Sequence, residues 1–135
     1  MIDQNPFYQS KHALVRWDPE LEAVYTVADG YLDDQEYMHW MKMILELAAE
    51  KGAQRWLSNG LKSRPLSSPM QAWTQELWLP LAKKIAFLKV AILMPESLLT
   101  KLSLQRTFEE AMLKTGMETR FFSDPGTART WLIQG

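Results

Sequence analysis

Glu36 and His39 stand three residues apart, the spacing that places a carboxylate and an imidazole on one helix face, as in half of a carboxylate-bridged di-iron site. A working site of that kind needs a second Glu-x-x-His and further glutamates from other helices. The only other histidine, His12, has no such partner, so pairing at the surface is the better reading and no metal ligand set is expected. There is no cysteine, which excludes thiolate nucleophiles, zinc fingers, Cys-ligated iron–sulfur clusters and disulfides. Neither histidine has a Ser or Asp partner at a motif spacing, and no G-x-S-x-G elbow occurs. A hydrolase built on Ser58 or Ser67 would need a buried base beside the serine, and the sequence shows none. The chain is therefore expected to be non-catalytic, with no cofactor.

A different chemistry is concentrated between Ser58 and Met70. Ser67 and Ser68 stand before Pro69 at the start of an apolar-periodic run, with Lys62 and Arg64 close by. A helix start offers free N–H groups and partial positive charge, so an anion or a phosphorylated serine would be stabilised there. The alternative is that Ser68 caps the helix, with proline at the first helical position, while the basic residues are solvated. Gly60-Leu61-Lys62-Ser63 echoes a phosphate-binding loop without its spacing, so no nucleotide cradle is expected. Leu61, Leu66 and Met70 supply apolar anchors between charges, and Trp73 follows on the helix. The loop Ser58 to Ser68 with the helix start is thus the expected contact or pocket surface.

These residues need elements to position them. Ala13 to Trp17 and Leu21 to Ala28 are short runs of branched and aromatic residues split by Asp18-Pro19-Glu20, a β-hairpin. In the second, Leu21, Ala23, Tyr25 and Val27 share one side, and Glu22, Val24, Thr26 and Ala28 the other. Asp33 and Glu36 form a capping box for a helix whose stripe is Tyr37, Trp40, Met41, Ile44, Leu45 and Ala48, with Gly52 as its stop. Gln54 to Ser58 reads as a strand with Trp56 and Leu57 on opposite faces, both sides of the sheet being covered. A helix from Ser68 has the stripe Met70, Trp73, Leu77 and Leu81, and Pro80 is expected to kink or interrupt it near Leu79. Phe87 to Met94 is the most apolar strand. One helix then carries Leu98, Leu99, Leu102, Leu104, Phe108, Ala111 and Met112, with a phase slip near Ser103, and ends at Gly116. Glu118 to Ser123 is the last strand, and Asp124-Pro125 starts a helix with Ala128, Trp131 and Leu132 inward.

The order β-β-α-β-α-β-α-β-α predicts an α/β fold: a mixed, mostly parallel five-stranded sheet with an N-terminal β-hairpin and four helices. It forms one domain over 1–135, with residues 1–11 as a loosely packed N-terminal arm. This order, from the hairpin at Ala13 to the helix at Trp131, resembles the STAS domain, the SpoIIAA-like fold of anti-sigma-factor antagonists and of sulfate-transporter regulatory tails. Phe121-Phe122-Ser123-Asp124-Pro125 leading into Ala128 and Trp131-Leu132 is similar to the ending of many small bacterial STAS-like proteins. In the antagonists a phosphorylatable serine sits after the third strand, at the start of the next helix. The resemblance places that position here in Ser58 to Pro69, where the chain reads Leu66-Ser67-Ser68-Pro69-Met70.

The functional expectation is a non-catalytic regulatory domain acting through contact with another protein or with itself as a homodimer. The alternative is a carrier or sensor of a small apolar ligand such as a lipid or fatty acid. Bulky residues on both sheet faces and 8 methionines that can reshape a pocket favour the latter. Lys83, Lys84 and Lys89 cluster, yet the net charge is −1 and no basic stripe interleaves with the 6 tryptophans, so nucleic acid is not expected as a partner. The longest apolar run, Val90 to Met94, is too short for a membrane span. Asp3, Gln4 and Asn5 stand where a signal peptide would need a basic and then an apolar stretch, which makes the cytoplasm the expected location.

Overall fold

The structure, a computed structural model, describes residues 6–85, 87 and 89–134, and of 110–114 the backbone only. The strands are β1 (Tyr8–Gln9), β2 (Ala13–Asp18), β3 (Ala23–Gly30), β4 (Arg55–Ser63), β5 (Lys89–Leu93) and β6 (Glu118–Phe122). The helices are α1 (Asp34–Lys51), α2 (Ser68–Trp73), α3 (Leu79–Ile85), α4 (Leu98–Thr115) and α5 (Pro125–Ile133). A π-helical turn, Thr74–Trp78, joins α2 to α3, so the two form one rod and the helical rods among the described residues number four, as the periodicity predicted.

The six strands lie side by side in the order of the sequence. β1, β2 and β3 pair antiparallel, and β3 to β6 pair parallel. The sheet has one strand more than expected, because Tyr8–Gln9 pairs with Val15 and Leu14 at its edge. Two residues are too few to show an alternation, so this strand left no signal. The remainder of the expected N-terminal arm includes residues 1–5, which lie outside the described residues, as do Ala86 and Leu88. Among the described residues no helix is long and apolar enough to cross a membrane.

The period-two alternation sorts the core into two layers. Val24, Trp56, Val90 and Ile92 face α1, the α2–α3 rod and α4, while Ala23, Leu57, Ala91 and Leu93 face α5. The three parallel crossovers step the same way across the sheet with their helices on the same face, so they share one hand. Asp33 caps α1 by accepting from the Glu36 N–H at 2.8 Å. The reciprocal half of the box is not made, because the Glu36 carboxylate accepts from the Ser10 hydroxyl instead. Gly52 ends α1 in the left-handed region at φ 60°, which costs glycine nothing. Asp124 caps α5 ahead of Pro125, as the sequence implied.

Two helix faces differ from expectation. On the α2–α3 rod, Leu77 and Leu81 are exposed, and Thr74, Trp78, Leu79 and Ala82 are buried instead. The π turn is the cause: the Leu79 N–H bonds the Thr74 carbonyl, five residues back, so one extra residue per turn advances the stripe by one position. Pro80 follows directly, and its missing N–H and bulky ring deny the preceding turn an ordinary α-helical bond. The helix therefore widens and continues where a kink or an interruption was expected. On α4, Leu98 and Leu99 are each nearly 70% exposed (68% and 69%), Leu102 is 37% exposed, and Thr100, Ser103 and Thr107 are buried. The hydroxyls of Ser103 and Thr107 donate to the Thr100 and Ser103 carbonyls at 2.9 and 2.6 Å. Back-bonded in this way, they enter the interior without losing a hydrogen bond. Leu104 and Phe108 do pack inward, while the side chains of Ala111 and Met112 lie outside the described residues.

Candidate functional site

Residues on the α1-facing side of β3 and β4 shrink toward the carboxyl ends of the strands. Val24 and Trp56 give way to Ala28 and Gly30 on β3 and to Ser58 and Gly60 on β4. Where these small residues adjoin, the helices cannot reach the sheet, and a cavity of about 180 Å³ remains. Its floor is Ala28, Ser58, Gly60 and Ile92, and its walls are Tyr37, Trp40 and Met41 of α1, Met70 of α2 and Leu104 and Phe108 of α4, with Trp56 at the inner end. This is the side of a parallel sheet at which ligands commonly bind. The volume compares with the roughly 150 Å³ apolar cavity that admits benzene.

The floor depends on a bulge. β3 and β4 keep register from Ala23 to Val27, then shift so that Asp29 faces Lys62, leaving β4 one residue longer around Gly60 and Leu61. The Leu61 N–H bonds the Asn59 side-chain oxygen at 3.2 Å, Asn59 donates to the Tyr25 hydroxyl at 3.0 Å, and Ser63 donates to the Gly60 carbonyl at 2.7 Å. A Cβ at Gly60 would stand 2.9 Å from the Leu93 carbonyl oxygen, so only glycine fits this approach. Asn59-Gly60 thus bends a strand where the sequence reading ended it at Ser58, and Ser58 to Ser63 belong to β4 and not to a loop.

The wall is apolar because its polar atoms are committed elsewhere. The Trp40 and Trp56 indole N–H groups donate to the Leu14 carbonyl at 3.1 Å and the Thr26 hydroxyl at 3.0 Å. Tyr37 is buried with its hydroxyl 2.8 Å from the Thr74 hydroxyl, and burial pushes its pKa well above the ordinary phenol value, so it stays protonated. Trp56 also packs against Trp78, Phe87 and Phe108 with ring centroids 5.2 to 5.9 Å apart. The exception is Ser58, which lines the cavity half-buried and makes no side-chain hydrogen bond among the described residues.

The mouth is formed by Tyr31, Asp34 and the segment 63–67. Ser67, not Ser68, is the cap of α2: its hydroxyl accepts from the Met70 N–H at 3.3 Å and donates to Asp34 at 3.0 Å. Pro69 fits one place further into the helix because the N–H at that position is also free of helical duty. The Leu66 N–H bonds the Ser103 hydroxyl at 3.2 Å, and Gln71 donates to the Leu66 carbonyl at 3.0 Å. Arg64 is exposed at the mouth and has no ion-pair partner among the described residues.

Of the residues singled out by sequence, Arg64, Leu66, Ser67 and Met70 meet at the cavity. Lys62 and Ser68 are exposed beside it. Leu61 points to the other sheet face and packs with the α5 cluster. Trp73 is half-buried against Tyr37, ring centroids 6.1 Å apart. Ser58, the first residue of the expected surface, lies on the cavity floor, and sequence reasoning missed Trp40 and Phe108 as cavity residues. The signal available was the row of small residues at alternate positions of two successive strands.

The other chemical candidates are structural. Glu36 accepts from Ser10, and His39 packs edge-on to Tyr8 at 5.1 Å, so both hold the N-terminal strand to α1 and they are not a pair. His12 sits 2.9 Å from the Asp29 carbonyl oxygen through Nδ1. No group of three or more His, Asp or Glu among the described residues is placed to hold a metal ion. Lys89 leaves the lysine cluster to cap α5, donating to the Trp131 and Gln134 carbonyls at 3.1 and 2.6 Å.

No family model matches the sequence, and no curated protein does. Among solved structures, an uncharacterised DUF3478-family protein with a SpoIIAA-like fold from Shewanella loihica PV-4 is similar to this chain. The match covers 93% of this chain and 98% of the other, at 23% identity and a TM-score of 0.63. The sheet order, the three helical rods on one face and this similarity agree: the chain has the SpoIIAA-like fold that its STAS resemblance implied.

Proposed function

We propose that this protein is a non-catalytic binding domain that holds a small, largely apolar ligand between the sheet and helices α1, α2 and α4. The observation that carries the reading is the cavity itself: about 180 Å³, walled by Trp40, Met41, Trp56, Ile92 and Phe108, and open beside Arg64 and Ser67. A core of interdigitating side chains ordinarily leaves no void of this size, and the absent dispersion contacts make an empty one costly. A ligand that fills it regains those contacts and about 0.8 kcal/mol for each CH₂ removed from water. Occupancy would be felt by the segment 64–67, which is bonded to α1, α2 and α4 at once, and this suits a sensor as well as a carrier. Titration with 1-octanol, followed by tryptophan fluorescence, tests the reading. Saturable binding is expected, and its loss in Ser58→Leu, whose side chain fills the floor. Absence of saturable binding to the folded wild-type protein overturns it.

A second reading, contact with another protein or a second copy, is supported by the first turn of α4, which presents Leu98 and Leu99 to solvent. Sedimentation of the wild type and of Leu98→Lys/Leu99→Lys tests the self-association part. A dimer abolished by the double substitution is expected, and a wild-type monomer at high concentration rejects it.

A further inference from the structure

We propose that the ligand is an amphipathic anion, an apolar body carrying one carboxylate or phosphate ester, and that Arg64 at the cavity mouth pairs with that charge. The inference rests on the cavity being a ligand site and adds the chemistry of the head group. The polarity of the site is graded. The interior offers aromatic and aliphatic surface with indole and phenol groups bonded away from it, and the formal charges are at the mouth. There the two charged side chains are in different states. The Asp34 carboxylate already accepts from the Ser67 hydroxyl at 3.0 Å, whereas the Arg64 guanidinium has no carboxylate within salt-bridge distance among the described residues.

The backbone next to Arg64 is fixed although its side chain is free. Ser63, before it, is tied to Gly60 at 2.7 Å, and Pro65, after it, has a locked φ. Leu66 is held by Ser103 and Gln71, and Ser67 by Asp34. An arginine mounted on a pinned segment loses less freedom on pairing than one on a mobile loop, and its planar fork matches both carboxylate and phosphate oxygens. The remainder of the molecule provides no general attraction for anions, since the net charge is −1. A preference for anionic ligands must therefore come from the mouth. Lys62, exposed nearby on β4 but not lining the cavity, provides a control of equal charge.

The experiment compares 1-octanol, octanoate and octyl phosphate on the wild type, Arg64→Gln and Lys62→Gln at low and high salt. Because the pair is at the rim, the expected preference of wild type for the anions over octanol is modest, on the order of 2- to 5-fold at low salt, shrinking as salt is added. Arg64→Gln should bring the affinities for octanoate and octyl phosphate down to that of the same variant for octanol, and Lys62→Gln should retain the preference. Tighter binding of octanoate than of octyl phosphate identifies a carboxylate as the natural head group, and the reverse a phosphate ester. Octanol binding with no anion preference, or a preference that survives Arg64→Gln or falls equally in Lys62→Gln, overturns the inference and leaves the cavity reading standing. Failure of octanol itself to bind the folded wild type removes the cavity reading, and this one with it.

Discussion

The Tyr37 hydroxyl donates to Thr74 Oγ1 at 2.8 Å, and Thr74 donates onward to the Met70 carbonyl at 2.7 Å. Because the Thr74 proton is committed to Met70, the direction of the Tyr37 bond is fixed. The pair ties α1 to the first residue of the π turn, with both side chains buried. Tyr37→Phe should cost about 1 kcal/mol at neutral pH, the net value of one such bond. Burial holds the folded phenol's pKa above its unfolded value. The unfolded state therefore ionises first, and wild-type stability falls as pH rises above about 10. Tyr37→Phe lacks that loss, so urea denaturation at increasing pH should show the gap closing on the alkaline side.

Asp18 is almost fully buried at the end of β2, where its carboxylate accepts from the Glu20 and Leu21 N–H groups at 3.0 and 3.1 Å and from Arg129 of α5 at 2.9 Å. Asp18→Ala leaves two backbone donors without their acceptor and the Arg129 guanidinium with only the exposed Glu20 carboxylate, at 3.2 Å, and should destabilise by about 3 kcal/mol. Arg129→Met should cost less, since the two N–H groups still bond Asp18 Oδ1 and only Oδ2 loses its partner. Chemical denaturation of the two variants checks the ranking.

Gly60→Ala places a methyl group 2.9 Å from the Leu93 carbonyl oxygen. The contact is with backbone, so β4 and β5 must separate, and a loss of about 1–3 kcal/mol is expected. Thermal unfolding measures it, and weaker octanol binding should accompany it because the bulge shapes the cavity floor.

Asp124 accepts from the Thr127 N–H and the Thr127 hydroxyl, each at 2.8 Å, and these bonds hold its carboxyl below the ordinary aspartate range. A lowered folded pKa gives stability that is complete at neutral pH and is lost as pH falls through the folded value. Asn caps helices without titrating in this range, so the difference in Tm between the wild type and Asp124→Asn should move in favour of the variant below about pH 4.

Features set by neighbouring residues were legible in the sequence. Asp33, Asp124 and Gly52 act within one helical turn, and the alternation at Trp56 and Leu57 needs only two residues. What depended on the fold was not. Leu77 and Leu81 were expected inside because a uniform 3.6-residue period was carried through Pro80, and the π turn changes that period. Leu98, Leu99 and Leu102 were expected inside from their helical spacing, whereas Thr100, Ser103 and Thr107 take that face, Ser103 and Thr107 with their hydroxyls bonded within the helix. The cavity arises from Ala28, Gly30, Ser58 and Gly60, small residues far apart in the chain that become neighbours only once the register of β3 and β4 is set. Arg64, Leu66, Ser67 and Met70 were readable because all four lie within one short segment.

Every strand lies beside its predecessor in the chain, from Tyr8 to Phe122. No ribbon has to be inserted between two that have already joined, so the sheet is able to accrete at a single growing edge while the polypeptide is still emerging from the ribosome. The face awaiting α5 is the last to be covered. Until Ala128, Trp131 and Leu132 arrive, Leu57, Ala91 and Leu93 remain open to water, and during synthesis that surface is the one in most need of protection from aggregation.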